Sequence, residues 1–408
     1  MTLRNYDIER DKEAIHRIWK EVGWLEKDQE ANMDLYASAG RALVAEVHGE
    51  AECLVITAPA TMQYLEEDLA LCAVTGVTTS RVARKQGLAG RLAAKAIAQD
   101  AQEGALVAGL GMFEQGYYNQ LGFGTGGYEH HISFDPAHLV LPVKARIPRR
   151  LTENDGEVMH QLRLKRLRGH GACNLIPSVL TIADLKLTEN GFGLGYFDTP
   201  DGELSHYFWG TAKGEHGPYG ISWMVFQTHA QFLELMALIK NLGDQVRLIG
   251  LHEPPGVQVQ DLLRQPFRNR AVTKKSEFEA GVWSAAYWQM RINDLPGCLE
   301  KTHLEGKSVH FQLQLSDPIE RLLDSDEAWR GTSGDYIVTL GQESSAKRGT
   351  DETLPILTAT VNAFTRMWLG VRTATGLSVT DDLKGSPELL AQLDRALRLP
   401  QPKPDWDF

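Results

Sequence analysis

Several features that define common protein classes are scarce in this chain of 408 residues. Its four cysteines, Cys53, Cys72, Cys173 and Cys298, lack the paired spacing of a disulfide framework or a zinc site. We therefore expect reduced thiols in a cytoplasmic protein, although a disulfide between two of them stays open. The apolar runs are well short of a membrane span, and the polar, charged start of the sequence does not fit a signal peptide, so we expect no membrane association.

Positive charge is also in deficit. The sequence has 42 Lys plus Arg against 53 Asp plus Glu, which gives a formal net charge of −11. This balance argues against general nucleic-acid binding and mildly favours cationic partners, while most of the charge is expected on a solvated surface. With 43% hydrophobic residues, the composition is that of an ordinary globular protein, and the length allows two or three domains.

The common nucleotide and hydrolase motifs are missing. The sequence contains neither a P-loop nor the G-x-S-x-G of hydrolases, and the run Gly87-Leu-Ala-Gly-Arg-Leu lacks the second glycine of the dinucleotide-binding pattern G-x-G-x-x-G. The glycine-rich run Gly191–Gly195 precedes no helical pattern, so it predicts a hairpin or an irregular turn. His130 and His131 are adjacent on a predicted strand and point to opposite faces, so we expect no metal site there.

The most informative stretch that is present joins a predicted strand, Asp68–Thr79, to a predicted helix, Leu88–Glu103. The turn between them contains Arg84, Lys85 and Gly87. Glycine lets a large group approach the backbone, and the unpaired N–H groups of a helix start attract anions. The turn therefore predicts a pyrophosphate site, with a solvated basic surface as the plain alternative.

A second element follows this helix. Ala105–Gly111 is a short apolar run that predicts a buried strand, and after it comes Tyr117-Tyr118-Asn-Gln-Leu-Gly-Phe123. Together, the R-x-x-G-x-A turn beginning at Arg84 and this Tyr-x-x-x-Gly-Phe segment resemble the GNAT family of N-acetyltransferases. The resemblance implies acetyl-CoA as the co-substrate, with Tyr118 beside its sulfur, whereas Tyr117 is expected to be a core or rim aromatic.

The alternation of strands and helices predicts an α/β (α+β) fold in three segments. We predict domains at 1–141, 142–293 and 294–408. In the first, Asp7–Val22 is expected to be a helix, Arg41–Val47 and Ala51–Tyr64 to be meander strands, and Gly127–Phe134 to be the closing edge strand. The second domain is expected to repeat the mixed strand and helix pattern of the first, but it lacks the basic R-x-x-G-x-A turn. The third is expected to be a compact α+β module, ending in a proline-rich tail.

This layout resembles the Eis family (enhanced intracellular survival acetyltransferases). The resemblance is strongest over Val74–Phe123 and next strongest over Leu357–Phe408. It implies tandem GNAT-like domains, the second of them degenerate, followed by a sterol-carrier-protein-like domain. It also implies a homo-oligomer, with a hexamer as the specific form.

The resemblance also implies site residues. Tyr118 would be the general acid that reprotonates the leaving thiolate, and the C-terminal carboxylate of Phe408 would be the base, with Asp407 as an anionic lining residue. One departure is that Thr79 and Arg81 stand where the family usually has Val and Pro. The backbone of Val77, Thr78 and Thr79 would bind pantetheine, and the pyrophosphate would lie on Arg84, Lys85, Gln86, Gly87, Leu88 and Ala89.

Two tryptophans near the first helix, Trp19 and Trp24, are candidates to line an acceptor pocket, with a core position as the alternative.

Acetyl transfer to nitrogen needs a neutral amine, a base to remove its proton and a donor for the leaving sulfur.

The hypothesis from sequence is an acetyl-CoA-dependent N-acetyltransferase that acts on a primary amine, such as an aminoglycoside-like polyamine or a lysine side chain. Direct attack in a ternary complex is expected, because no cysteine lies in the basic turn or in the Tyr118 segment. No metal is expected. The rivals are a non-catalytic acyl-CoA sensor and a lipid-binding protein.

Overall fold

The computed structural model describes residues 2–25, 29–198 and 202–407. The chain forms two compact units. The first comprises the residues up to Gly127, Gly169–Pro177 and the residues from Ala286 onward; the second comprises Tyr128–Arg168 and Ser178–Ala285. The predicted boundaries at 141 and 293 stay a prediction, while the first and last parts of the chain share one unit.

The helices and strands of the described residues follow one another in mixed α/β order, which confirms the predicted fold class. The strands are β1 Thr2–Asn5, β2 Arg41–Val47, β3 Glu50–Tyr64, β4 Glu67–Thr79, β5 Val107–Gly111, β6 Gly124–Thr125, β7 Glu129–Phe134, β8 Arg149–Leu151, β9 Cys173–Leu175, β10 Gly191–Phe197, β11 Leu204–Ala212, β12 Tyr219–Val225, β13 Ile249–His252, β14 Gly281–Ala285, β15 Trp288–Ile292, β16 Val309–Ser316, β17 Gly334–Leu340, β18 Ser345–Arg348, β19 Ile356–Thr360 and β20 Leu383–Lys384. The α-helices are α1 Ile8–Val22, α2 Glu30–Ser38, α3 Leu88–Gln102, α4 Gly156–Leu164, α5 Ser178–Leu187, α6 His229–Asn241, α7 Pro266–Thr273, α8 Leu295–Glu300, α9 Val361–Trp368, α10 Ala374–Thr380 and α11 Pro387–Ala396.

The first sheet has the strand order β1-β2-β3-β4-β5-β15-β6, and β9 pairs with β3. Helix α1 begins at its cap Asp7, which accepts a hydrogen bond from the Glu9 N–H, and it buries Ile15 and Ile18. Helix α3 buries a stripe that includes Leu92 and Ile97, and it packs on β2, β3 and β4. The predicted helix and strands of this region are confirmed to within three residues at their ends.

The glycine-rich run Gly191–Gly195 lies in strand β10, which pairs antiparallel with the next strand, so the predicted hairpin is confirmed and the alternative of an irregular turn is wrong. Strand β10 pairs along its length with β11. A Cβ atom on Gly191 or Gly193 would approach the Trp209 ring to 2.6 or 2.8 Å. The glycines therefore make room for a large cross-strand neighbour, which the local sequence does not reveal.

The last strands of the predicted domains 1–141 and 142–293, β7 and β15, each lie in the sheet formed mainly by strands of the other predicted domain. Strand β15 lies between β5 and β6 in the first sheet, antiparallel to both. Strand β7 lies between β13 and β14 in the second sheet, whose order is β14-β7-β13-β12-β11-β10-β8. The prediction that Gly127–Phe134 closes the first sheet as an edge strand is therefore wrong. Both slots take an antiparallel strand, so local pattern cannot tell which one fills each slot.

The third sheet, β18-β17-β16-β19-β20, belongs to the first unit. Its central strand β16 pairs antiparallel with β17 and parallel with β19. Helix α9 is capped by Thr360, whose side chain accepts from the Ala363 N–H, and α11 is capped by Ser386. No helix among the described residues is long and apolar enough to cross a membrane.

Candidate active site

Strands β4 and β5 pair in parallel only as far as Val74 and Leu110. The register of β4 against β3 shifts at this point, because Ile56 faces Gly76 whereas Thr57 faces Val74, which leaves Thr75 as an extra residue. Such a bulge bends a strand. Beyond it, the rest of β4 pairs with β3 but has no strand partner on its β5 side among the described residues. A ligand can bind its free backbone groups there by adding to the sheet edge.

Buried hydroxyl groups accompany this free edge. Within the described part of the chain, the side-chain oxygens of Thr75, Thr78 and Ser80 are buried and have no hydrogen-bond partner. Thr79 differs, because its Oγ1 lies 3.3 Å from Cys53 Sγ. Buried polar groups are normally paired, so three unpaired hydroxyls along one strand end indicate a place where a ligand or water binds. The sequence predicts only a backbone role for Thr78.

The turn after β4 leaves the start of α3 open. Gly87 is the cap residue, with a φ of 73°, and within the described ranges the start of α3 has no side-chain cap hydrogen bond. Lys85 also has a positive φ, 60°. A Cβ atom at Gly87 would meet nothing within 4 Å, so its backbone faces open space. The first amides of α3 are thus free to bind an anion, and the helix dipole favours one there.

The residues predicted to bind pyrophosphate lie together around this opening. Arg84, Lys85, Gln86 and Gly87 are exposed, whereas Leu88 is buried and Ala89 is half-buried against the core. Among the described residues, neither Arg84 nor Lys85 has an ion-pair partner, so their charge is not neutralised within the fold.

Arg81, where the family usually has proline, is tied to α1. Its N–H donates to Glu21 Oε2 at 2.8 Å, and its guanidinium lies 3.4 Å from the Glu21 carbonyl oxygen. These two hydrogen bonds to α1 constrain the turn where the proline's rigidity is missing.

Tyr118 begins a one-turn 3-10 helix, Tyr118–Leu121, and is 4% exposed. Its ring makes edge contacts with Phe113, Tyr117 and Phe123, with ring centroids 5.9, 4.9 and 6.3 Å away. It packs in the same core cluster as Val77. Burial, and secondarily the neighbouring Tyr117, raise the pKa of Tyr118. Its hydroxyl therefore stays protonated at neutral pH, as a proton donor must.

The predicted acceptor-side residues are Trp24, Asp407 and Phe408. Trp24 follows α1 and is 48% exposed, so it is not core, whereas Trp19 is. Asp407 is exposed at the end of the described tail, and Phe408 lies outside the described residues.

The tail before Asp407 is well anchored. The Lys403 N–H donates to the His170 carbonyl at 3.0 Å, the Cys173 N–H donates to the Pro404 carbonyl at 2.8 Å, and Trp406 is buried. These contacts fix the tail's course as far as Trp406.

The predicted absence of a metal site at His130 and His131 stays a prediction. Among the described residues, no group of three or more His, Cys, Asp or Glu side chains is arranged to hold a metal ion. His131 stacks on Trp283 with a centroid distance of 5.0 Å, and burial lowers its pKa.

Comparisons with known proteins agree with this geometry. Residues 3–126 match the model of the acetyltransferase (GNAT) domain family. No curated protein matches the sequence. A conserved protein of unknown function from Enterococcus faecalis, described as a probable N-acyltransferase, has a similar structure, with a TM-score of 0.80 and 17% identity over 100% of this chain and 99% of that chain.

Two further structures share the fold over the whole of both chains. A GCN5-related N-acetyltransferase from Anabaena variabilis has a TM-score of 0.78 and 13% identity, and covers 100% of each chain. Eis1 from Mycobacterium abscessus has a TM-score of 0.76 and 15% identity, again over 100% of each chain. At these identities the likeness shows a common fold.

Residues 3–126 therefore match the GNAT acetyltransferase domain family, and this match supports an enzyme of the acyltransferase class. Domains of this family use acetyl-CoA as their co-substrate. The sterol-carrier-like character of the third region stays a prediction.

Proposed function

We propose that this enzyme transfers the acetyl group of acetyl-CoA directly to a primary amine. The observation that supports this most is the open helix start beside a splayed strand pair. In the first unit, free backbone groups of β4, unpaired amides of α3 and uncompensated basic side chains follow one another along the chain. That series suits a long ligand with an amide-containing arm and a diphosphate.

In this proposal, Val77, Thr78 and Thr79 hold the pantetheine arm by backbone hydrogen bonds. The amides at Gly87, Leu88 and Ala89 hold the pyrophosphate, with Arg84 and Lys85 adding charge and Gln86 a polar side chain. Binding at both places fixes the thioester, so that the amine meets it in a defined geometry rather than by free collision.

The chemical step is nucleophilic addition and elimination at the thioester carbon. The amine nitrogen forms a bond to that carbon, the C–S bond then breaks, and the sulfur leaves with the electron pair. Tyr118 donates its hydroxyl proton to this sulfur and recovers a proton from solvent. Strand-end N–H groups near Val77 are the proposed donors to the transient oxyanion.

A base must remove a proton from the amine, because alkyl amines are mostly protonated at neutral pH. By resemblance to the Eis family, we propose the carboxylate of Phe408, with Asp407 and Trp24 near the acceptor. The anchoring of the tail through Lys403, Pro404 and Trp406 supports this role, since a base must be held at a fixed distance from its substrate.

The acceptor class is proposed from family resemblance and the acidic balance of the chain. It comprises polyamines of the aminoglycoside type and lysine side chains. Turnover should be measured as thiol release from acetyl-CoA over aminoglycosides, polyamines and lysine peptides. If no amine were acetylated although acetyl-CoA bound tightly, the result would favour the alternative, a non-catalytic acyl-CoA sensor.

The role of Tyr118 is tested by Tyr118→Phe. We expect kcat to fall about 100-fold, because a positioned acid contributes on the order of 10² to 10⁴ in rate. KM for acetyl-CoA should change less than about threefold, since ring packing is kept. Tyr117→Phe is the matched control and should retain kcat; equal kcat values for the two variants would refute the assignment.

The role of the terminal carboxylate is tested by deleting Phe408, and separately by adding one glycine after it. Both changes move the carboxylate while leaving the anchored tail intact, so turnover should drop sharply and coenzyme affinity should stay unchanged. Retained turnover in both variants would rule out this base.

A further inference from the structure

The segment Tyr118–Phe123 is held by side chains from much later in the chain. Its backbone carbonyl groups at Asn119, Leu121 and Phe123 each accept a hydrogen bond from a distant residue. From this we infer that Asn362 and Arg291 are positioning residues for Tyr118. Asn362 belongs to the third-sheet region, residues 309–396 with strands β16–β20 and helices α9–α11, and Arg291 belongs to β15 of the first sheet. Both would then complete the active site. The inference rests on the proposed role of Tyr118 as the acid.

Asn362 lies in the first turn of α9 and is buried. Its Nδ2 donates to the Asn119 carbonyl at 2.9 Å and to the Phe123 carbonyl at 2.8 Å, across 243 and 239 positions of sequence. One amide group thus joins the beginning and the end of the turn that carries Tyr118. A side chain of this shape holds both carbonyls at fixed positions, because an amide has two donors in one plane.

Arg291, on β15, supports the middle of the same turn. Its Nη1 donates to the Leu121 carbonyl, and its Nη2 pairs with Asp317 Oδ2 at 2.6 Å; neither side chain is exposed. Asp317 also accepts from the Thr332 N–H at 3.0 Å. A buried ion pair fixed by further hydrogen bonds has little freedom to move, so it fixes the position of the Leu121 carbonyl relative to β15.

The glycine of the Tyr-x-x-x-Gly-Phe segment has its explanation here. Gly122 has a φ of 84°, and a Cβ atom on it would lie 2.6 Å from Arg291 Nη1, 2.8 Å from Val361 Cγ1 and 3.0 Å from Asp317 Oδ1. The turn is therefore pressed against both β15 and the third-sheet region, and no side chain fits between them.

A second polar contact makes the same connection from β15. Gln289 Nε2 donates to Asn119 Oδ1 at 3.0 Å and to Thr125 Oγ1 at 3.1 Å. The residue directly after Tyr118 is thus held through its backbone by Asn362 and through its side chain by Gln289. Rotation of the turn, which would carry the tyrosine ring with it, breaks both contacts.

The test is a double-mutant cycle between Tyr118→Phe and Asn362→Ala. Asn362→Ala should lower kcat about 10- to 30-fold, because misplacing a catalytic group by 1 Å can cost on the order of 100-fold. Coenzyme A affinity, measured by calorimetry, should stay within about twofold. In the Tyr118→Phe background, Asn362→Ala should lower kcat by less than about twofold, since the group it positions is already gone.

Two further variants separate positioning from folding. Asn362→Ser keeps one donor, so its kcat should lie between those of the parent and Asn362→Ala. If Asn362→Ala is insoluble, Asn362→Ser replaces it in the double-mutant cycle with Tyr118→Phe. Ser344→Ala is the matched control. Ser344 is buried in the third-sheet region, and its hydroxyl donates to the Gly341 carbonyl and accepts from the Gly341 N–H, each at 3.0 Å. Its loss should lower stability but leave kcat unchanged.

The outcomes distinguish the two claims. If Tyr118→Phe alone has normal kcat, both the proposed acid and its positioning are refuted. If Tyr118→Phe is slow but Asn362→Ala retains kcat within about twofold, or its effect multiplies fully in the double variant, only the positioning role is overturned.

Discussion

The two sheets of the tandem region contain the same strand–helix–strand unit, and the two units differ at the helix start. In the first, β4 leads through the long turn Ser80–Gly87 to α3, whose cap is a glycine that leaves the first amides free. In the second, a short turn leads from β12 to α6. There Thr228 Oγ1 accepts from the Gln231 N–H at 3.3 Å, and Gln231 Oε1 accepts from the N–H groups of Gln227 and Thr228.

This difference gives the missing coenzyme motif of the second sheet a physical meaning. The capping box occupies the Gln231 amide of α6 and the two amides before the helix, so α6 is stabilised and fewer donors are left for an anion. The open start of α3 has the opposite property. Helix α3 loses the stability of a cap, and its amides stay available for a ligand.

Closing the α3 start should have the largest effect. In Gly87→Asp, a carboxylate would cap the helix and repel the diphosphate, and aspartate tolerates a left-handed φ better than most residues. We expect coenzyme A affinity, measured by calorimetry, to fall at least about 100-fold, in line with the loss of two or more charge-assisted hydrogen bonds. Gly87→Asn is the uncharged control, and its coenzyme A affinity should lie between that of the parent and that of Gly87→Asp. If both variants bound coenzyme A as tightly as the parent, the explanation by an open helix start would be contradicted.

Removing the basic side chains should have a smaller effect. Arg84→Ala and Lys85→Ala should each weaken coenzyme A binding by about 10-fold, and both should reduce its dependence on salt, because exposed charges are screened. Arg247→Ala, at an exposed arginine of the second unit, serves as the control. A salt dependence identical to the parent's would show that these two residues do not meet the phosphates.

Opening the α6 start should change stability and not binding. Thr228→Ala should cost about 1 kcal/mol in the free energy of unfolding, measured in urea, as should Ser386→Ala at the cap of α11. Adding Gln231→Ala frees the amides further, yet the turn still lacks basic residues. We expect one coenzyme A per chain throughout; a stoichiometry of two would mean that capping alone silences the second turn.

The smallest effect concerns the pH dependence of the second unit. Burial lowers the pKa of His206, whose Nε2 lies 3.2 Å from Glu234 Oε2. Since the folded state binds the proton more weakly than the unfolded state, stability is complete above the ordinary pKa of about 6.5 and declines as pH falls below it. His206→Gln should reduce this loss of stability between about pH 7 and 5.5, measured by unfolding in urea. A steeper slope would reverse the sign of our argument.

Local patterns predicted the local parts of the site. The α3 stripe, the β4 strand and the order of the turn and the Tyr118 segment lie within a short stretch, where periodicity and turn chemistry decide the structure. The Thr228-x-x-Gln231 capping box was also visible in the sequence, and it was the signal that could have explained the second turn.

The supports of Tyr118 were not predictable in this way. Asn362 and Arg291 look like ordinary helix and strand residues, and their role depends on partners 170 to 243 positions away. The exchange of β7 and β15 is equally hidden, because nothing in either strand's own sequence identifies its neighbours. Contacts at such separation depend on topology, which one sequence does not display.

The exchange of β7 and β15 also sets an order for synthesis on the ribosome. The first sheet cannot be completed until translation has passed Ile292, so β5 and β6 emerge with an empty slot between them. Meanwhile β7 emerges long before β13 and β14, its eventual neighbours. An unfilled place in a sheet exposes unpaired backbone groups, so the nascent chain presents open strand edges until its later strands have been synthesised.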